Sequence, residues 1–218
     1  MIQIGTESQF EAARHEAGHV VIGVRSGSVV TDTHIRCENG RWLGDSKFAT
    51  GKVSADDMMA CAIAGCLAQA KSVAESQCSG TVAFDMKCEL KPLIHIVRDS
   101  DRSGPDSDPG SCDVFFLADG KRLAIHFDGA WFSGADASGY RLGRKSHPPL
   151  DFVDTQLIRS VMGELDDAKN WRALCAVSDE LCRRTVADGG TCVLSGDDIR
   201  KAMSEADSEH GEVPGAWK

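Results

Sequence analysis

No stretch of this 218-residue chain is long and apolar enough to span a bilayer. The longest apolar run, Met58 to Ala70, is interrupted by Gly65 and Gln69 and falls short of the roughly 18 residues a spanning helix needs. A basic leader with an apolar core is also missing from the opening MIQIGTESQF, so no secretory signal is expected. Basic residues are in the minority, with Lys plus Arg at 24 against 33 for Asp plus Glu and a net charge of -9. That balance suits counterion release from a polyanion poorly, so neither nucleic acid nor a membrane is expected as a partner. No CxxC pair occurs among the nine cysteines, an odd number. Cys61, Cys66, Cys175 and Cys182 fall in helical-looking segments, so reduced thiols in a cytoplasmic setting are expected. Neither a GxxxxGK[ST] phosphate loop nor a Gx[ST]xG nucleophile elbow is present, which argues against an ATPase module and against covalent serine chemistry.

What is present reads as an ordinary globular chain, 42% hydrophobic and 26% charged, of a size for one domain over residues 1–218. Ser8-Gln-Phe-Glu11 fits a capping box, and apolar residues then recur at helical spacing from Phe10 to Val24. Val29 to Phe48 reads as two strands around Glu38-Asn39-Gly40, where Asn-Gly supports a tight hairpin turn. A second helix begins at Ser54, rich in small residues suited to close packing. Residues 75–147 differ in character and read as an inserted β-rich segment, with a loop at Asp99–Gly110 and a second hairpin around Ala118-Asp119-Gly120. Helices follow from Pro149 to about Ala168, from Trp171 to Val186, and after Ser195-Gly196-Asp197. The expected fold is α+β and predominantly α-helical.

The sharpest signal is His15-Glu16-Ala17-Gly18-His19, an HExxH pattern inside the first helix. Residues four apart lie one turn apart, so both imidazoles project from one face and can share one ion. Zinc takes two neutral imidazole nitrogens and a carboxylate while leaving a position open to water. Glu16, beside the first ligand, is then placed to take a proton from that water as general base.

Three segments resemble the peptidase domain of the FtsH family of zinc metallopeptidases. These are A-R-H-E-A-G-H-V-V-I-G at 13–23, T-H-I-R-C-E-N-G-R-W-L-G at 33–44 and A-I-A-G-C-L-A-Q-A at 62–70, with a weaker echo in V-L-S-G-D-D-I at 193–199. The resemblance covers residues 8–73 well, 151–203 loosely and 75–147 not at all. Gln69 stands where the family usually shows Glu. The resemblance implies a mostly helical zinc enzyme that hydrolyses peptide bonds in polypeptide substrates; the missing GxxxxGK[ST] loop departs from the family and makes the chain ATP-independent by itself. It also implies a third metal ligand, an Asp near the start of a later helix.

Three aspartates compete for that role. Asp154 opens the helix of residues 150–168, where Ile158, Val161, Met162 and Leu165 share its face, so an unpaired carboxylate there would be costly and a metal would offset the cost. Asp85 has the better distance from the small-residue helix, but Pro92 interrupts the helix that should follow. Asp151 shares the helix start on a more solvated face. The expected set is His15, His19 and Asp154 for zinc with Glu16 as base; Asp85 and Asp151 remain alternatives. A second functional reading keeps the metal and the fold but makes the chain a weak or inactive zinc-binding interaction module with a protein partner. The oligomeric state is open. His34, on the hairpin that runs beside the metal cleft in the family, and Trp42, which either lines a substrate groove or packs in the core, are further residues to locate.

Overall fold

The computed structural model describes residues 2–3, 8–49, 53–88, 112–127, 136, 139–140, 155–187 and 190–208. Its elements run β1 (Ile2–Gln3), α1 (Gln9–Arg25), β2 (Val30–Glu38), β3 (Arg41–Phe48), α2 (Ala55–Ser76), β4 (Val82–Phe84), β5 (Cys112–Ala118) and β6 (Lys121–Phe127). These are followed by α3 (Thr155–Asp166), α4 (Ala168–Ala187), β7 (Thr191–Ser195) and α5 (Gly196–Ser208). The fold is α+β and mainly helical, with two small sheets. No helix among the described residues is long and apolar enough to cross a membrane.

Local chemistry accounts for the element boundaries. Ser8 caps α1, accepting from the Glu11 amide at 3.1 Å while Glu11 Oε2 accepts from the Ser8 amide at 3.3 Å, the reciprocal box the sequence predicts. Ser54 caps α2 through the Asp57 amide at 3.0 Å. Both hairpins turn on a residue pair with positive φ, Asn39 with Gly40 and Asp119 with Gly120.

One sheet has the order β1-β6-β5-β4, with β1 parallel to β6 and the other pairs antiparallel. The second, β3-β2-β7, is antiparallel throughout and makes β3 an outer strand among the described residues. Three strands escape the sequence reading: β1, β4 and β7. Each is five residues or fewer, and β7 exists because Cys192 and Leu194 turn into the core opposite Ile35 and Thr33 of β2. That pairing is tertiary and leaves only a weak local trace.

Helix α1 is the centre of the packing, bounded by α2, α4, β2 and β3. Almost every residue from Ala12 to Gly23 is buried. Its approach to α2 is close because Gly18 carries no side chain: a β-carbon there would lie 2.7 Å from the Ala64 carbonyl oxygen and 2.8 Å from Ala68 Cβ. Helix α3 adds its expected face of Ile158, Val161, Met162 and Leu165, all buried. The loop expected at Asp99–Gly110, and the start of the third expected helix before Thr155, lie outside the described residues.

Candidate metal centre

A helix buried on nearly all sides must find partners for whatever polar groups it carries. In α1 those groups are Arg14, His15, Glu16 and His19. Three of the four converge on one place. His15 and His19 stack edge to face with ring centroids 4.8 Å apart, as four-residue spacing requires. Room for the rings comes from α2, where Gly65 lies opposite: a β-carbon on Gly65 would stand 2.4 Å from His19 Nε2 and 2.8 Å from His15 Cδ2.

The outer nitrogen of each ring is occupied. His15 Nδ1 donates to Gln69 Oε1 at 3.2 Å, and His19 Nδ1 donates to the Cys61 carbonyl oxygen at 2.7 Å. An amide oxygen and a backbone carbonyl only accept, so both rings carry their proton on Nδ1 when neutral and present the Nε2 lone pair inward. Both lone pairs face one carboxylate. Asp136, whose backbone is helical, sets Oδ2 at 3.1 Å from His15 Nε2 and Oδ1 at 3.2 Å from His19 Nε2. The three ligand atoms lie within 4.8 Å of one another.

Such a set is unfavourable on its own, because lone pairs of the ring nitrogens and the carboxylate oppose each other. A cation between them, or a proton on a ring, relieves this. The titration directions express the same fact. Burial works against the charged forms, yet the charge and hydrogen bonds of His19 and His15 hold the Asp136 carboxyl well below the ordinary carboxylate range. Against the same opposing burial, the Asp136 carboxylate raises both imidazoles. Two imidazole nitrogens and a carboxylate oxygen are donors that zinc accepts. The residues fit a divalent zinc-like ion.

Glu16 points to the other side of the cluster, towards the second sheet. Its residue is 5% exposed, and burial raises its carboxyl above the ordinary range. Ser46 Oγ on β3 donates to Oε2 at 2.6 Å. Gly44, two residues earlier on the same face of β3, leaves the space the carboxyl occupies: a β-carbon there would lie 2.3 Å from Oε1. A carboxylate held this way beside a metal set is suited to exchange a proton with a ligating water.

Of the residues the sequence singles out, His15, Glu16 and His19 come together here. Asp154 and Asp151 lie outside the described residues. Asp85 is elsewhere, its carboxylate paired with Arg122 at 2.9 Å. The carboxylate at the cluster is that of Asp136, which the sequence reading does not consider. Its one local signal is the run of small residues around it in the sequence, Ser-Gly-Ala-Asp-Ala-Ser-Gly at 133–139. Gln69, Ser46 and Gly44 are likewise additions from the structure. His34 does not join the cluster; its Nε2 meets Arg36 Nη1 at 2.9 Å along β2. Trp42 is half-buried and packs against the hydrophobic core. No family model matches the chain, and no curated protein matches its sequence.

Proposed function

We propose that the chain is a zinc-dependent metallopeptidase of FtsH-like type that hydrolyses peptide bonds with water. The observation that carries this reading is the convergence of His15 Nε2, His19 Nε2 and the Asp136 carboxylate, with the Glu16 carboxylate alongside. When bound, zinc supplies a Lewis acid for a peptide carbonyl and lowers the pKa of a ligating water. His15, His19 and Asp136 would hold the ion, and the Gln69 and Cys61 acceptors fix the ring orientations. Glu16 takes the water proton at Oε1 and later returns it to the leaving amine.

The position of β3 supports an extended polypeptide as substrate. As an outer strand, β3 has an edge to which a peptide can add by main-chain hydrogen bonds, and Gly44 and Ser46 on that strand border Glu16. Thiols at Cys61, Cys78, Cys175 and Cys182 support a reducing, cytoplasmic setting.

The test is metal content by elemental mass spectrometry, with cleavage of an unfolded protein such as casein followed in parallel. About one zinc per chain is expected in wild type and in Glu16→Gln, with much less in His19→Ala and Asp136→Asn. Cleavage should be lost in all three variants. A Glu16→Gln variant as active as wild type would sink the mechanism. Full zinc loading without cleavage of any polypeptide would favour the zinc-stabilised interaction module instead.

A further inference from the structure

We infer that Ser46 and Thr33 form a directed hydroxyl relay that holds the Glu16 carboxylate in its working orientation. The inference rests on the peptidase reading for its chemical purpose, but its geometry stands by itself. Thr33 on β2 and Ser46 on β3 are direct cross-strand partners, so their side chains emerge side by side on the face of the sheet turned to α1. Their oxygens are 2.7 Å apart, and Ser46 Oγ is 2.6 Å from Glu16 Oε2.

The direction follows from counting protons. An ionised carboxylate only accepts, so the single Ser46 proton goes to Glu16. Thr33 then has a choice between Ser46 Oγ at 2.7 Å and the Asp45 carbonyl at 3.5 Å, and the short contact wins. The chain therefore runs Thr33 to Ser46 to Glu16, with no proton competing at Oε2. Thr33 is fully buried and β-branched, which stiffens its χ1 and keeps the donor aimed.

This arrangement assigns the two oxygens of Glu16 different tasks. Oε2 is the anchored atom. Oε1 takes no hydrogen bond from any described residue and borders the gap left by Gly44. A glutamate has three rotatable bonds, and a general base must present one oxygen within hydrogen-bond reach of a single water. Ser46 and Thr33 act through Glu16 rather than on substrate, so they are positioning residues.

The experiment compares Ser46→Ala, Ser46→Thr and Thr33→Val with wild type, all loaded with zinc. Difference infrared spectra at pH 8, referenced to Glu16→Gln, isolate the carboxylate stretch of Glu16. The expected result is a shift to higher frequency in Ser46→Ala, a smaller shift of the same sign in Thr33→Val, and a wild-type band in Ser46→Thr. Zinc should stay at one per chain in all of them. In casein cleavage, kcat should fall about tenfold in Ser46→Ala with KM within about twofold, a part of what a general base contributes. Ser46→Thr should restore kcat. An unmoved band in Ser46→Ala, or an effect on KM alone, would overturn the relay. If Ser46→Ala does not fold, Thr33→Val decides by the same band. A shifted band in a chain that cuts nothing would leave the relay standing and remove the peptidase reading.

Discussion

The α-carbon of Gly65 faces the imidazole of His19 so closely that a single added methyl group would sit 2.4 Å from Nε2. In an ordinary helix interior, Gly→Ala stabilises by roughly 1 kcal/mol through propensity alone. Here the methyl would occupy the place of the ring edge, and the neighbour that must yield is the nitrogen that faces Asp136. Gly65→Ala is therefore expected to keep the helical circular dichroism spectrum while weakening zinc binding by about tenfold or more, comparable to losing an orienting partner. Competition with a chromophoric chelator measures this. Unchanged affinity would mean that the rings relocate freely and that the gap at Gly65 has no part in the site.

Lys71 gives a prediction about stability, remote from the metal cluster. It is 3% exposed, and its ammonium donates to the Leu165 carbonyl at 2.9 Å and to Asp166 Oδ1 at 2.8 Å. The same nitrogen lies 4.5 Å from the Trp171 ring centre, while Asp166 Oδ2 accepts from the Phe84 amide at 3.0 Å. One ion pair thus ties α2, α3, α4 and β4. Lys71→Met fills most of the volume but strands Asp166, and removing one partner of a buried pair costs about 3–5 kcal/mol. Asp166 keeps 22% of its side chain exposed and retains the Phe84 amide, so the lower end, about 3 kcal/mol, is expected. Urea unfolding should show a lower midpoint with an unchanged slope. A midpoint within error of wild type would show that packing alone holds these elements.

The contrast between what local pattern reveals and what it hides is clearest around α1. The capping box at Ser8, the helical run after it, the Asn39-Gly40 and Asp119-Gly120 turns and the buried face of α3 all depend on neighbours within a few residues, and all are legible. The HExxH pair is legible for the same reason, since one turn of helix brings both rings together. Asp136 is not, because it sits 121 positions from His15 and nothing periodic surrounds it. Ser46 and Thr33 look like ordinary strand residues until the register places them opposite each other. Gly44 and Gly65 read as generic small residues, although each is required by a side chain from α1. Local chemistry thus brings the two imidazoles and the neighbouring carboxylate of Glu16 into view. The third carboxylate and the carboxylate anchor come only from tertiary pairing.

The junction of α4, β7 and α5 sets an acid-sensitive contribution to stability. Hydrogen bonds from Arg183 and then Arg184, opposed by slight burial, hold the Glu180 carboxyl down to about 2. Arg184 continues to Asp198 at 2.7 Å, and the hydrogen bonds of Arg184 and Ser195 hold that carboxyl well below its usual range. Asp198 and Ser195 also cap α5, with the Ser195 amide donating at 3.0 Å and the Asp198 amide at 3.3 Å. Both acids have a lower pKa folded than unfolded. Their contribution is therefore complete above the unfolded value near pH 4.5 and is lost as the pH falls towards 2. The groups are partly solvated, so salt should diminish the effect. In denaturant melts at pH 6, 4 and 3, wild type should lose more stability on acidification than a Glu180→Gln, Asp198→Asn double variant, which starts lower at pH 6. Parallel curves for the two proteins would show that these ion pairs contribute nothing to folding and that the acid transition belongs to other carboxylates.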